Sequence, residues 1–191
     1  MIPESITPRL LGKLVKQVAG TAKKSYPLTE VYTGDLIVEL PQSTPADIEG
    51  AFATARKAQR EWAKTSVKDR MAIFAKCHDW LMTNVETTTD LIQAESGKAR
   101  QMAFEETCDV PYVVSHYIKH GPKLLAPTKR GGPVPILSTS TEVRIPKGVI
   151  GIIAPWNFPF ATGISDMIPA LMAGNGVVLK PDNKTALSPL Y

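Results

Sequence analysis

The stretch from Gly148 to Lys184 sets the tightest limit on what this chain of 191 residues can fold into. Val149 to Ala154 is a short, continuous apolar run with β-branched residues, the pattern of a strand buried on both faces. Pro155 stops it, because proline cannot donate to a sheet ladder. Trp156, Asn157 and Phe158 follow on a turn, with Pro159 restricting Phe158. Ile164, Ile168, Leu171 and Met172 then recur at helical spacing, and Gly174-Asn175 marks the helix stop. Val177, Val178 and Leu179 form a second buried strand, closed by Lys180-Pro181. Strand, crossover helix and strand make a βαβ unit of a parallel sheet.

Ligands of open parallel α/β sheets bind outside the carboxyl ends of the strands. Asn157 and Lys180, two of the few polar side chains in the unit, fall at such ends. Chemistry alone leaves two readings open: a ligand-facing pair, or a turn-forming asparagine and a solvated strand terminus.

Earlier in the chain, residues 5–19 place Ile6, Leu10, Leu11, Leu14, Val15 and Val18 on one face of an amphipathic helix. Residues 20–27 read as a polar connector, and 29–32 with 36–40 as a hairpin around Gly34-Asp35. Thr44-Pro45-Ala46-Asp47 is a helix start, with a capping hydroxyl, a first-turn proline and an acid at the positive helix end. Ile48, Ala51, Phe52, Ala55, Gln59 and Trp62 then present a stripe to the core. Ser66 caps the next helix, with Met71, Phe74, His78, Leu81, Met82 and Val85 as its stripe. A third helix covers about 88–96 and stops at Gly97. A fourth covers about 99–120, where Pro111 starts or kinks a turn and Gly121-Pro122 brings the end. Residues 126–135 form a loose connector. Residues 136–146 alternate in a polar strand pair whose edges need a partner. Ser188-Pro189 reads as the cap and first-turn proline of another helix. Two parallel strands with one crossover leave sheet edges open, so the chain is expected to be the N-terminal part of a longer polypeptide.

Composition narrows the class. At 43% hydrophobic and 21% charged the chain is globular, and its net charge of +4 comes from dispersed lysines and arginines that form no nucleic-acid face. No apolar run approaches the roughly 18 residues needed to cross a bilayer. The first twenty residues do not read as a signal peptide, which points to the cytoplasm. Cys77 and Cys108 are expected to be separate, buried or half-buried thiols.

Three motifs in order, Ala-Pro-Trp-Asn-Phe-Pro at 154–159, Pro-Ala-Leu-Met-Ala-Gly-Asn at 169–175 and Val-Leu-Lys-Pro at 178–181, resemble the aldehyde dehydrogenase superfamily. Tyr32-Thr33-Gly34, the alanine-rich stretch ending in Trp62, and Glu95-Ser96-Gly97-Lys98 extend the resemblance over about residues 28–191. Within the superfamily the chain is most similar to bacterial succinate-semialdehyde dehydrogenases. The resemblance implies an α/β fold: an incomplete Rossmann-like cofactor-binding domain with parallel strands, N-terminal helices and a protruding oligomerisation hairpin. It implies that 1–128 and 147–191 are the N-terminal part of the NAD(P)-binding domain and that 129–146 is the hairpin, pairing subunits into a homodimer or homotetramer. The resemblance also implies that the catalytic domain is absent from this chain.

The activity implied is oxidation of an aldehyde, such as succinate semialdehyde, to the acid through a cysteine thiohemiacetal. By resemblance Asn157 donates from its side-chain amide to the developing alkoxide. Ile153, Ala154, Pro155, Trp156, Asn157, Lys180, Pro181, Asp182 and Asn183 contact the cofactor, with Lys180 at the adenosine ribose. NAD-preferring relatives carry a glutamate where this chain has Asn183, which favours NADP, with NAD as the alternative because Asp182 stands beside it. The family's Gly-Gln-x-Cys nucleophile, its Glu-Leu-Gly-Gly base and its glycine-bearing pyrophosphate loop do not occur in these residues. Neither Cys77 nor Cys108 has the nucleophile's setting, so this chain alone is not expected to oxidise aldehydes. His116 and His120 have metal-ligand spacing but no third ligand motif, so no metal is expected. Glu95 to Lys98 reads as a helix end, and Glu105-Glu106 as a solvated face. The rival reading is a non-catalytic module that binds a nucleotide or pairs with related subunits.

Overall fold

Side-chain caps start the first three helices, at the predicted Thr44 and Ser66 for the second and third and at Thr7 for the first. The computed structural model describes residues 2–134 and 136–191; Met1 and Pro135 lie outside them, and with Pro135 one residue of the predicted 126–135 connector. Thr7 accepts the Leu10 N–H at 3.2 Å and opens α1 (Pro8–Val15), shorter than the predicted 5–19. Thr44 and Asp47 cap each other's backbone at the start of α2 (Pro45–Trp62). Ser66 accepts the Asp69 N–H at 3.1 Å and opens α3 (Val67–Thr83). α4 (Val85–Ser96) closes at Gly97, whose φ is +71° and where a Cβ would lie 2.7 Å from Val31 Cγ1, so this stop needs glycine for both conformation and room.

α5 (Arg100–Leu125) contains Pro111, as expected of a helix over 99–120, but departs from prediction by running on past Gly121-Pro122. Each proline removes one backbone hydrogen bond. Val110, Pro111, Val114 and Gly121 are buried, and α5 packs on α3, α4 and α6, so tertiary burial outweighs the local penalty.

The N-terminal hairpin is also shifted. β1 (Ser25–Thr29) pairs antiparallel with β2 (Leu36–Pro41), Leu28 facing Val38. The first strand therefore lies in the predicted polar connector. Residues 30–35 are consumed by the turn, where Glu30 accepts the Thr33 N–H at 2.8 Å and Gly34 takes φ +74°. Two further strands, β3 (Thr128–Gly131) and β4 (Thr139–Glu142), form an antiparallel hairpin exposed along nearly its whole length. Its first strand falls in the predicted loose connector, and residues 136–137 sit in the turn rather than a strand.

The βαβ unit is present: β5 (Val149–Ile153), α6 (Pro159–Met172) and β6 (Gly176–Lys180), the strands parallel and in register from Val149↔Gly176 to Ile153↔Lys180. Neither strand is buried on both faces, contrary to the apolar pattern. Gly151 lies against Phe52 of α2, yet Ile153, two residues further along that face, is 82% exposed because α2 does not reach it. The α2 stripe is correspondingly half-buried, with no residue fully enclosed. On α3, Met82 is exposed as well, and so is Cys77, which was expected inside.

The carboxyl end of α6 is tied down by side chains from α2 and α3. Trp62 Nε1 donates to Leu171 O at 2.7 Å, buried Arg70 Nε to Met172 O at 2.9 Å, and Gln59 Nε2 to Gly174 O at 2.9 Å.

Two apolar clusters result. One joins α3, α4, α5 and α6 around Phe74, Ile92, Val110, Val114 and Ile168. The other joins α1, the β1–β2 hairpin, α4 and α7 (Leu187–Leu190) around Leu14, Leu28, Leu91 and Leu187. Neighbouring Leu91 and Ile92, both 0% exposed, put α4 in both. α4 also caps α7: the buried Glu95 carboxylate accepts the Leu187 and Ser188 N–H groups at 2.5 and 2.9 Å. Ser188 is thus inside the helix and not its cap.

Two outcomes follow from this packing. Ile92→Ala should cost about 2–5 kcal/mol in urea unfolding, whereas Ile73→Ala, at a half-exposed position, should cost under about 1 kcal/mol. Equal costs would contradict the placement of α4. Burial pushes the Glu95 carboxyl up to about 7 from an ordinary 4.5, against the pull of its two backbone donors. The folded state therefore holds this proton more tightly than the unfolded chain. The stabilisation it lends is complete below about pH 4.5 and lost as pH rises through about 7, a change of order 3 kcal/mol. Unfolding measured from pH 4.5 to 7.5 should show this decline in the parent and a flatter profile in Glu95→Gln; parallel profiles would contradict it.

Candidate functional site at the carboxyl edge of the parallel strands

Because Ile153 pairs with Lys180, β5 and β6 end together, and the Ala154 N–H donates to Lys180 O at 3.0 Å. The loops 154–158 and 181–186 therefore leave from one sheet edge, one leading into α6 and the other into α7. Ile153 and Ala154 are brought beside Lys180; Pro155, Trp156 and Asn157 follow on the first loop, and Pro181, Asp182 and Asn183 on the second.

Asn157 is exposed, and among the described residues its side chain has no hydrogen-bond partner. It does not cap α6, whose cap position is Phe158 with no side-chain cap bond. An amide donor thus remains available at the strand end. Trp156 is 59% exposed beside it. Lys180 is exposed too. Its Nζ donates to Pro181 O at 2.8 Å and Asn183 Oδ1 at 3.3 Å, both uncharged. The Asp182 carboxylate turns the other way and accepts the Lys184 N–H at 2.8 Å. Among the described residues no carboxylate stands within ion-pair distance of Lys180, so its charge is free to meet an anion.

What fixes the first loop escaped the sequence reading. Glu106 is not on a solvated face. Its side chain is 0% exposed, and Oε1 accepts the Phe160 and Ala161 N–H groups at 2.9 and 3.1 Å, in the first turn of α6. Its Oε2 accepts from Lys98 Nζ, which also lies 3.6 Å from the centroid of the Phe158 ring. Glu95 and Glu106 thus hold the starts of the two helices that follow the two loops. The Glu95-Ser96-Gly97-Lys98 run was the available signal, since two charges so close to a glycine stop need partners if that stop is buried.

Other candidates lie elsewhere. His116 and His120 stack 4.7 Å apart on α5, and among the described residues no group of three metal-ligating side chains forms around them. Cys77 and Cys108 are free thiols on α3 and α5; the residue Cys77 is exposed and Cys108 half-buried, and partial desolvation by the surrounding helices raises both above their ordinary pKa, which disfavours the thiolate. A cavity of about 550 Å³, lined by Ala55, Gln59, Trp62, Leu171 and Asn175, opens at the amino end of β6, the opposite edge from Lys180. A second of about 300 Å³ lies between α5 and α6 beside Tyr112, His116 and Asp166. No helix among the described residues is long and apolar enough to cross a membrane.

Residues 18–191 match the model of the aldehyde dehydrogenase family. A Mycolicibacterium smegmatis protein provisionally named succinate-semialdehyde dehydrogenase (NADP+) is 44% identical over 164 residues, which is 86% of this chain and 32% of that protein. Vanillin dehydrogenase of Corynebacterium glutamicum is 31% identical over 82% of this chain and 32% of its own length. Among solved structures, succinate-semialdehyde dehydrogenase from Burkholderia pseudomallei superposes with a TM-score of 0.84 at 26% identity, covering 91% of this chain and 36% of that one. The chain spans about a third of the length of the curated relatives it matches.

Proposed function

The chain belongs to the aldehyde dehydrogenase family, and on that footing we propose that it serves as the N-terminal portion of an NAD(P)-dependent enzyme oxidising succinate semialdehyde or a similar aldehyde to its acid. The observation that carries this is the shared end of β5 and β6, which brings an unengaged amide and an unneutralised ammonium to one sheet edge. Residues 1–128 and 147–191 then belong to the cofactor domain. The nucleophilic cysteine and the general-base glutamate are supplied by sequence beyond these 191 residues, in keeping with the third of its relatives' length that the chain spans.

Asn157 is the catalytic donor in this reading. It is neutral and aims an N–H at the oxygen that gains charge when the aldehyde carbonyl is attacked, a contribution of about 2.7–4 kcal/mol for one such donor. The edge also fits a dinucleotide. The exposed side chains of Ile153 and Trp156 offer it apolar surface. Lys180, with Pro181, Asp182 and Asn183 shaping its loop, holds the adenosine ribose end. Since the Asp182 carboxylate is occupied by its own turn and Asn183 is neutral, a ribose phosphate meets a cation without a facing anion, which supports NADP ahead of NAD. When bound, the nicotinamide supplies the hydride acceptor.

The β3–β4 hairpin, exposed along nearly its whole length and carrying Ile136 and Leu137 at 103% and 85% exposure in its turn, offers strand edges that suit pairing with the same hairpin of another subunit. Both cysteines are free, in keeping with the cytoplasmic location this reading implies.

The test is turnover of a short panel of aldehydes by the full-length protein with each cofactor. Asn157→Ala should lower kcat by about 10²–10³-fold and leave nucleotide affinity within about threefold. Lys180→Met should weaken NADP more than NAD. Unaltered turnover in the first variant, or an intrinsic preference for NAD, would defeat the corresponding assignment.

A further inference from the structure

Among the described residues the Asn157 side chain has no hydrogen-bond partner, so its neighbours set where its amide points. Those neighbours are gripped from one place. The Lys98 ammonium sits over the Phe158 ring, and Glu106 takes the N–H groups of Phe160 and Ala161. The two grips are one unit, because Lys98 and Glu106 form an ion pair whose side chains are only 16% and 0% exposed. Pro155 and Pro159 stiffen what remains of the loop.

Helix capping accounts for Glu106 but not for Lys98. A carboxylate at a helix start is already favoured by the N–H groups it accepts and by the helix dipole. Withdrawing an ammonium from water beside it is costly. Lys98 nevertheless reaches inward and makes a contact that no cap requires, on the ring of the residue next to Asn157. Glu95 caps α7 on two backbone donors, and among the described residues no cation stands within ion-pair distance of it.

We propose that Lys98 and Glu106 are positioning residues that fix the Asn157 amide at the sheet edge, an inference that rests on Asn157 being the oxyanion donor. The pair touches neither reacting atoms nor nucleotide. Its effect passes through Phe158 and the first turn of α6, and it should appear in turnover, not in nucleotide binding.

The experiment compares Lys98→Met, Lys98→Arg and Glu106→Gln in the full-length protein by amide hydrogen exchange and steady-state kinetics. In Lys98→Met, exchange over residues 156–161 should speed by about tenfold or more while Leu91 and Ile92 keep their protection. Its kcat should fall roughly 10–100-fold with nucleotide KM within about twofold, as expected when a catalytic group is displaced by about an ångström. Arginine, which keeps both the charge and the ring contact, should restore most of that loss. Glu106→Gln, which keeps an acceptor for the backbone but loses the ion pair, should resemble Lys98→Met. Unchanged exchange over 156–161 overturns the proposal. So does a fall in kcat that tracks nucleotide KM and melting temperature in all three variants, the mark of general destabilisation. If the unmodified protein oxidises no aldehyde, the functional reading fails on its own, and the exchange data alone decide whether the pair grips the loop.

Discussion

Everything at the sheet edge depends on α6 being held at both ends by groups of the right sign. Its amino end meets the buried carboxylate of Glu106, and its carboxyl end meets the guanidinium of Arg70, with Trp62 and Gln59 donating alongside. Each group satisfies backbone atoms that a buried helix end would otherwise leave unpaired. Both charges complement the helix dipole. Asn175 adds a second tie by donating to Ala170 O and accepting the Gly148 N–H, which joins the helix exit to the entrance of β5. The crossover is thereby fixed relative to the strands it links, and the loop carrying Asn157 inherits that rigidity.

How far the sequence could be read follows the range of the interactions. Thr44, Ser66, Gly97 and Gly174 obey rules that act within one turn, and their helix ends fall where those rules put them. The crossover was legible for a similar reason, since its two strands and helix are marked by local periodicity. Gly121-Pro122 misled as a helix stop because the burial that carries α5 past it comes from α3, α4 and α6, elements distant in sequence. Ile153 misled in the opposite direction: its β-branched side chain suits an enclosed strand, but α2 stops short of it. Of the candidate site, the positions of Asn157 and Lys180 at strand ends were legible. The environments of Glu95 and Glu106 were not, because beyond the charges flanking the Gly97 stop the partners that draw both side chains inward, the first turns of α6 and α7, are distant in sequence.

The capping carboxylates also bear on how a dinucleotide can be held. A helix start just beyond a parallel strand is a natural phosphate site, through its free N–H groups and its dipole. Here the Phe160 and Ala161 N–H groups are filled by Glu106, and those of Leu187 and Ser188 by Glu95. Neither helix start can offer these donors to a phosphate while its carboxylate stays in place. The positive charge left at the edge belongs to side chains, Lys180 foremost. On the proposed reading, that division would leave this part of the fold the ribose end of a nucleotide to recognise, with the phosphates met elsewhere.

α4 has a wider consequence. Leu91 belongs to one apolar cluster and Ile92 to the other, and the helix ends on the carboxylate that receives α7. The frontier between the clusters is therefore the thickness of a single helix, with no linker along which they could part. Loss of that wall would open both sides to water at once, so the hairpin at one flank and the long helices at the other share a common fate on unfolding.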